Sequence, residues 1–236
     1  MPSKRPPRRR HEPSGLTILH EDRDVLVVDK AAGLLTVGTD SEKTKTAYYR
    51  LTDYVRKGYP KSRNRIFIVH RLDRDVSGVL VFAKTAEAKR HLQEQWDEVE
   101  KIYVAVVYGT LDAKAGTISS YLTENTAHVV YSTPDKAKGK LCHTAYRVLK
   151  ETRGLSLLEI RLLTGRKNQI RVHFAEKRHP IVGDRKYGTP DPLHKRLALH
   201  ARSIAFRHPY TGEVVSFTAD VPGYFRGLVG ALGNEA

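Results

Sequence analysis

Acidic side chains are the scarce charged class in this chain: 26 Asp and Glu stand against 41 Lys and Arg, a formal charge of +15 with the histidines neutral. That imbalance and a sequence pI near 9.9 exclude an acidic surface and imply a polyanionic partner. Cysteine is scarcer still. Cys142 stands alone, so no intramolecular disulfide forms and no C-x-x-C pair offers a zinc or redox site, which points to a reducing cytoplasm. Long apolar runs are missing as well. None approaches the roughly 18 residues of a membrane-spanning helix, and the Pro/Arg-rich beginning lacks the apolar centre of a secretory signal. Eleven histidines contain no H-E-x-x-H, and there is no G-x-G-x-x-G or phosphate-loop lysine motif. No metal, cofactor or membrane is therefore expected. What remains, 40% hydrophobic and 28% charged residues over 236 positions, is the composition of a globular protein large enough to bury a real core.

Residues 1–14, MPSKRPPRRRHEPS, combine proline with like charge and read as a disordered basic arm. Residues 15–230 read as a single domain and 231–236 as a tail. LTILHEDRDVLVVDK is two apolar runs around a charged turn, a β-hairpin. Tyr48, Leu51, Tyr54 and Val55 mark a helix, and IFIV at residues 66–69 a buried strand. GVLVFAK is another strand. Thr85 is a helix N-cap, followed by a stripe of Ala88, Leu92, Trp96 and Val99 that belongs to core packing. IYVAVVYGTL is a strand, residues 115–140 a long hairpin or excursion, and CHTAYRVLK and GLSLLEIRLLTG two more strands. KNQIRVHFAEKR spaces Ile170 and Phe174 for a short helix. The segment through LALHARSIAFRHPYTGEVVSFTADVP is β-rich with a turn at HPYTGE. Strands dominate without a regular βαβ rhythm, so the fold class is α+β with a mixed, largely antiparallel central sheet and flanking helices and loops.

The chemistry concentrates in VHRLDRDVSG. Asp73 lies between Arg71 and Arg74, and two guanidiniums favour its ionised form. An ionised acid is a poor proton donor but a serviceable nucleophile or base. Taken alone, such an acid is more often an ordinary ion pair at a strand end. A glycosidase or nucleoside hydrolase using Asp73 and Asp75 is a weaker alternative, since such an enzyme must bring its paired carboxylates together on one substrate.

HRLDRDVSGVLVFAKT resembles the signature of RluA-type pseudouridine synthases. EKIYVAVVYG, LLTGRKNQIRVHFAEKRHPIVGDRKYG and LALHARSIAFRHP resemble the later blocks of that family, in the same order, so that the likeness runs from about residue 16 to about residue 225. The resemblance implies the synthase catalytic fold acting on ribosomal or transfer RNA; the 15 residues ahead of the first strand leave no room for the S4-like RNA-binding domain that many relatives carry, and a monomer is expected. It makes Asp73 the catalytic aspartate, Tyr103 the tyrosine against the target ring, Arg171 the basic partner of the aspartate, and Arg71 the side chain that takes the place of the flipped uridine. Arg166 is a second candidate for the aspartate's partner, or else a phosphate contact. His70, Arg74, Asn168 and Gln169 fall on the substrate side of the matched blocks, with His70 leaning to a structural part. Two positions depart from the pattern: Val76 replaces a common Thr, and Asn168 a common His, both expected beside the chemistry rather than on it. Basic clusters at Arg5 and Arg8–Arg10, at Lys61, Arg63 and Arg65, and at Lys136, Lys138 and Lys140 are candidate phosphate contacts. The competing reading is a non-catalytic RNA-binding or ribosome-assembly protein that keeps the synthase fold.

Overall fold

The computed structural model describes residues 13–38, 42–57, 59 and 61–232; the expected basic arm up to residue 12 and the last four residues of the tail lie outside them. Fifteen elements follow in chain order: β1 (Leu16–Glu21), β2 (Val25–Lys30), α1 (Ala47–Arg56), β3 (Phe67–Ile68), β4 (Ser77–Ala83), α2 (Ala86–Glu94), β5 (Glu100–Tyr108), β6 (Ala115–Glu124), β7 (Val130–Thr133), β8 (Lys140–Thr152), β9 (Leu155–Leu162), α3 (Gln169–Glu176), β10 (Leu199–Arg207), β11 (Val214–Thr218) and α4 (Gly223–Val229). The strands form one 11-stranded sheet in the order β1-β2-β4-β10-β5-β9-β8-β6-β7, with β11 added to β10 and β3 to β4. Every pairing is antiparallel except β4 with β10. The mixed, largely antiparallel sheet expected of the sequence is thus present.

Both faces of the sheet are covered, and strand periodicity shows how. Along β4, Leu80 and Phe82 join the larger core with Leu51 of α1, Phe174 of α3 and Phe225 of α4. Val79, Val81 and Ala83 join a second core with Ala88 and Leu92 of α2 and with Ile204 and Phe206. Successive side chains point to opposite faces, so a strand buried on both reads as an unbroken apolar run. Residues 77–83 are all buried. Helices α1 and α2 begin as expected of threonine caps: Thr46 accepts the Tyr49 N–H and Thr85 the Ala88 N–H. Helix α2 is shorter than its stripe, ending at Glu94, so Trp96 and Val99 pack from the connection that follows it.

The edge of β4 away from β2 positions the site. At one end it pairs with β3, through Ile68↔Phe82; at the other it pairs with β10, through His200↔Ser77 and Ala201↔Gly78. The IFIV run is consequently a strand for two residues only, because the chain must leave this edge to make room for β10. Residues 69–76 form the loop at that departure. Gly78 allows the exchange: it holds φ +116, and a Cβ there would stand 2.1 Å from the Ala201 carbonyl oxygen. Gly78→Ala is expected to destabilise the fold by more than about 3 kcal/mol, from strain and backbone overlap together; a urea-unfolding midpoint equal to wild type would contradict this account of the seam.

Candidate active site

The loop 69–76 carries Asp73 across the point where β3 gives way to β10. It is tied down by side chains from elsewhere. Thr36 donates its hydroxyl to the Leu72 carbonyl at 2.7 Å and accepts the Leu72 N–H at 3.1 Å. Lys30, fully buried, donates to the carbonyls of Leu34 at 2.8 Å, Ala31 at 3.1 Å and Arg74 at 3.2 Å. Burial lowers its ammonium to about 8, against the opposing pull of Asp75, Asp73 and Asp29. His70 explains itself at the β4 edge: its Nε2 accepts the Val81 N–H at 3.0 Å, a ladder donor stranded between β3 and β10. Burial beneath Trp96, whose ring centroid lies 4.6 Å away, and the nearby Lys101 charge hold the imidazole neutral, its pKa lowered to about 3.

The second half of the site comes from the start of α3. Asn168 caps that helix with φ 54, a left-handed conformation that asparagine tolerates better than most residues. Three residues on, Arg171 is 9% exposed and makes two ion pairs. Its Nε and Nη2 reach Oδ2 and Oδ1 of Asp184 at 2.8 and 2.7 Å; its remaining Nη1 reaches Oδ2 of Asp73 at 3.0 Å. The carboxylate that Arg171 holds through two bonds is therefore Asp184, and Asp73 receives a single bond from the arginine. Asp184 also accepts the backbone N–H groups of Lys186 at 2.9 Å and Tyr187 at 3.0 Å. Burial alone would raise its pKa, but Arg171 and these two donors overcome burial and lower it. The Tyr187 ring lies 5.2 Å from the Arg171 guanidinium.

Between these halves opens a cleft of about 640 Å³ lined by Arg71, Asp73, Tyr103, Arg166, Lys167 and Asn168 among others. The Asp73 side chain is 30% exposed in it. Tyr103 sits on β5 opposite Ala201, which pairs onward with Gly78; burial, and then the negative charge of Asp73, push its phenol far above the usual value, so it stays protonated. Arg71 and Arg166 are exposed at the cleft. Trp96, read from sequence as core packing, does pack on the second core and also borders the cleft.

Several expectations change. Arg74 borders the cleft beside Asp73 but pairs with Glu42, and the arginine that bonds the Asp73 carboxylate is Arg171. Asp73 lies in a loop rather than at a strand end. Gln169 is 2% exposed and spends its amide inside the protein, accepting from Thr164 Oγ1 at 2.9 Å and the Arg166 N–H at 3.1 Å, and donating to Thr144 Oγ1 at 2.9 Å and the His143 carbonyl at 3.0 Å. The Gln169 amide is thus spent on internal bonds, and His70 commits its Nε2 to Val81, while both residues border the cleft. Asn168, expected beside the chemistry, donates to Asp73 Oδ2 at 2.5 Å. Asp184, Tyr187, Lys30 and Thr36 were not anticipated; the GDRKYG segment of the third sequence block was their one visible signal, and it covers only the first two.

Comparison with known proteins places the chain in one family. A model of the RNA pseudouridylate synthase family matches residues 24–176. The chain is 36% identical over 232 residues to an uncharacterized RNA pseudouridine synthase of Chlorobaculum parvum, covering 88% of this chain and 71% of the relative. It is 36% identical over 241 residues to ribosomal large subunit pseudouridine synthase D of Neisseria meningitidis serogroup A, covering 95% of this chain and 63% of the relative. The same-named protein of Xanthomonas campestris is 36% identical, with 94% and 70% covered. These relatives are longer proteins, of which the chain spans 63–71%. Two solved structures share the fold: human RNA pseudouridylate synthase domain containing 4, at TM-score 0.74 and 24% identity over 88% of this chain and 89% of that one, and human RNA pseudouridylate synthase domain containing 1, at TM-score 0.70 and 27% identity over 90% and 86%. The chain belongs to the RNA pseudouridine synthase family, and its reaction class is that of an isomerase.

The Arg171–Asp184 pair should dominate local stability. Asp184→Asn strips the buried guanidinium of the more deeply buried of its two counter-charges and is expected to cost about 3–5 kcal/mol at neutral pH. Because the native pKa of Asp184 is depressed, its contribution is present above the carboxylate's ordinary value of 3.8 and fades as pH falls through the lower native value. The difference between variant and wild type in urea denaturation should shrink in acid; a difference that is absent at pH 7, or that grows on acidification, would refute the assignment.

Proposed function

We propose that this protein converts uridine to pseudouridine in large-subunit ribosomal RNA, in the cytoplasm, with Asp73 as the reacting carboxylate. Arg171 holds that carboxylate in place, Tyr103 lies against the target ring, and Arg71 occupies the stack vacated by the flipped nucleotide. The observation that carries this reading is the meeting of Asp73, Arg171 and Tyr103, from three separate parts of the chain, in a cleft whose rim holds Arg71, Arg166 and Lys167. The choice of ribosomal RNA is supported by the names of the Neisseria and Xanthomonas relatives.

The chemistry asks for little else. The N1–C1′ bond breaks and a C5–C1′ bond forms; C5 gives up its proton and N1 takes one, so neither oxidant nor energy donor is consumed. Attack on C1′, addition to the base ring and removal of a sugar proton each draw on one lone pair of a carboxylate, which is returned at the end. The base must leave the helical stack to be reached, and unstacking is unfavourable. A planar guanidinium such as Arg71, able to stack on the flanking bases, offsets part of that penalty. The remaining positive charge, including exposed Lys61, Arg63 and Arg65, supplies affinity for phosphates without reading sequence.

Purified protein incubated with total RNA from cells lacking it, followed by mapping of pseudouridine, tests the reading. Wild type should restore one or a few sites in large-subunit ribosomal RNA, and Asp73→Asn should be slower by at least about 10³-fold. Restored sites in transfer RNA alone would reassign the substrate. Identical maps from wild type and Asp73→Asn, with RNA binding intact in both, would instead favour a non-catalytic RNA-binding protein.

A further inference from the structure

The two oxygens of Asp73 are not treated alike. Oδ2 accepts from Asn168 Nδ2 at 2.5 Å and from Arg171 Nη1 at 3.0 Å. Among the described residues no donor reaches Oδ1, and the carboxylate borders the cleft.

The asymmetry is set by the amide of Asn168. Its Oδ1 accepts from Tyr187 Oη at 3.0 Å and from Lys186 Nζ at 3.4 Å. The Tyr187 oxygen in turn accepts the Val130 N–H at 3.1 Å, which leaves its own proton for Asn168. Reversing the amide would set its oxygen against Asp73 Oδ2 and its NH₂ against an ammonium, turning attractions into repulsions. The amide therefore has one orientation, with its donor on Asp73. Both arms of this clamp start from Asp184: it grips Arg171 through two bonds and also holds the backbone of Lys186 and Tyr187. An asparagine serves here because one planar group supplies the acceptor and the donor at a fixed separation.

We propose that Asn168 is a positioning residue for the isomerisation: it ties down Oδ2 so that Oδ1 leads with the reacting lone pair, and Tyr187 and Lys186 act through it by fixing the amide. This rests on Asp73 as the reacting carboxylate. On the C1′ route, Oδ1 bonds C1′ as the N1–C1′ pair passes to the uracil ring. The ring turns, C5 bonds C1′, and the Oδ1–C1′ pair returns to the carboxylate; C5 then loses its proton to solvent and N1 gains one. Oδ2 keeps both donors throughout.

The test uses single-turnover rates at the sites wild type modifies in total RNA from cells lacking the protein, with binding of the same labelled RNA measured in parallel. Asn168→Ala is expected to lower the rate about 10- to 100-fold, the usual size of a lost bond to a charged group, while RNA affinity stays within about twofold of wild type. Asn168→His, which restores an N–H donor, should recover most of the rate. Should Asn168→Ala fail to fold, Tyr187→Phe carries the test, with a loss of about 3- to 10-fold in the same direction. The proposal is overturned by a wild-type single-turnover rate in these variants, by an Asn168→His rate no higher than that of Asn168→Ala, or by weakened RNA binding with an unchanged saturating rate, which would make Asn168 a substrate contact. An inactive Asp73→Asn beside a wild-type-like Asn168→Ala removes the positioning role alone; an active Asp73→Asn removes the underlying reading as well.

Discussion

The site depends on one buried ion pair. Arg171 is almost out of solvent, and a guanidinium there would be intolerable without Asp184, whose own side chain is 1% exposed. A buried pair of this kind is weak evidence for stability as such, since desolvation cancels much of its attraction. Its consequence is geometric. Two bonds to Asp184 fix the plane and direction of the guanidinium, so the last N–H group can point only where Asp73 stands. The acid that faces the cleft is thus aimed from behind by a second acid that never meets it, with the arginine as the rigid link between them.

A second constraint is the economy of the β4 edge. Strand β3 and strand β10 share it end to end, and a shared edge leaves a gap where a backbone donor has no ladder partner. His70 fills the gap through Val81, and the chain that carries His70 past the gap is the chain that presents Asp73. The parallel seam at Gly78 and Ala201 then brings β10, and with it Tyr103 of β5, under that loop. Sheet topology and active-site geometry are in this sense one arrangement: the loop is where it is because two strands compete for one edge.

Around this rigid centre the charge is arranged more loosely. Arg71 and Arg166 stand exposed at the cleft, and Arg65 lies 4.8 Å from the Phe67 ring centroid on the approach to the loop. Exposed cations of this kind suit a polyanion that must be drawn in and then rearranged, because they stabilise many placements of a phosphate backbone and dictate none. The internal bonds of Gln169, Thr36 and Lys30 do the opposite work, limiting the protein's own freedom at the place where the base arrives.

The linear order of residues already contained the covered two-faced strands, the capped helices, the α+β class and the four blocks that identify the family, since periodicity, caps and motif spacing are local properties carried by neighbouring residues. It also singled out Asp73, Tyr103 and Arg171. Charge alone could not tell which of several arginines would reach the acid, and only the family likeness pointed to Arg171: Arg71 and Arg74 are nearest in the chain, yet Arg171, 98 positions away, makes the bond, and Arg74 turns to Glu42. Nor could it separate Asn168 from Gln169, adjacent amides of which one touches Asp73 and the other is spent inside the core. Those outcomes were decided by tertiary packing, because a hydrogen bond is awarded by direction and distance in space, and these are set only once helix α3, the loop before β4 and the turn at Asp184 have closed on one another.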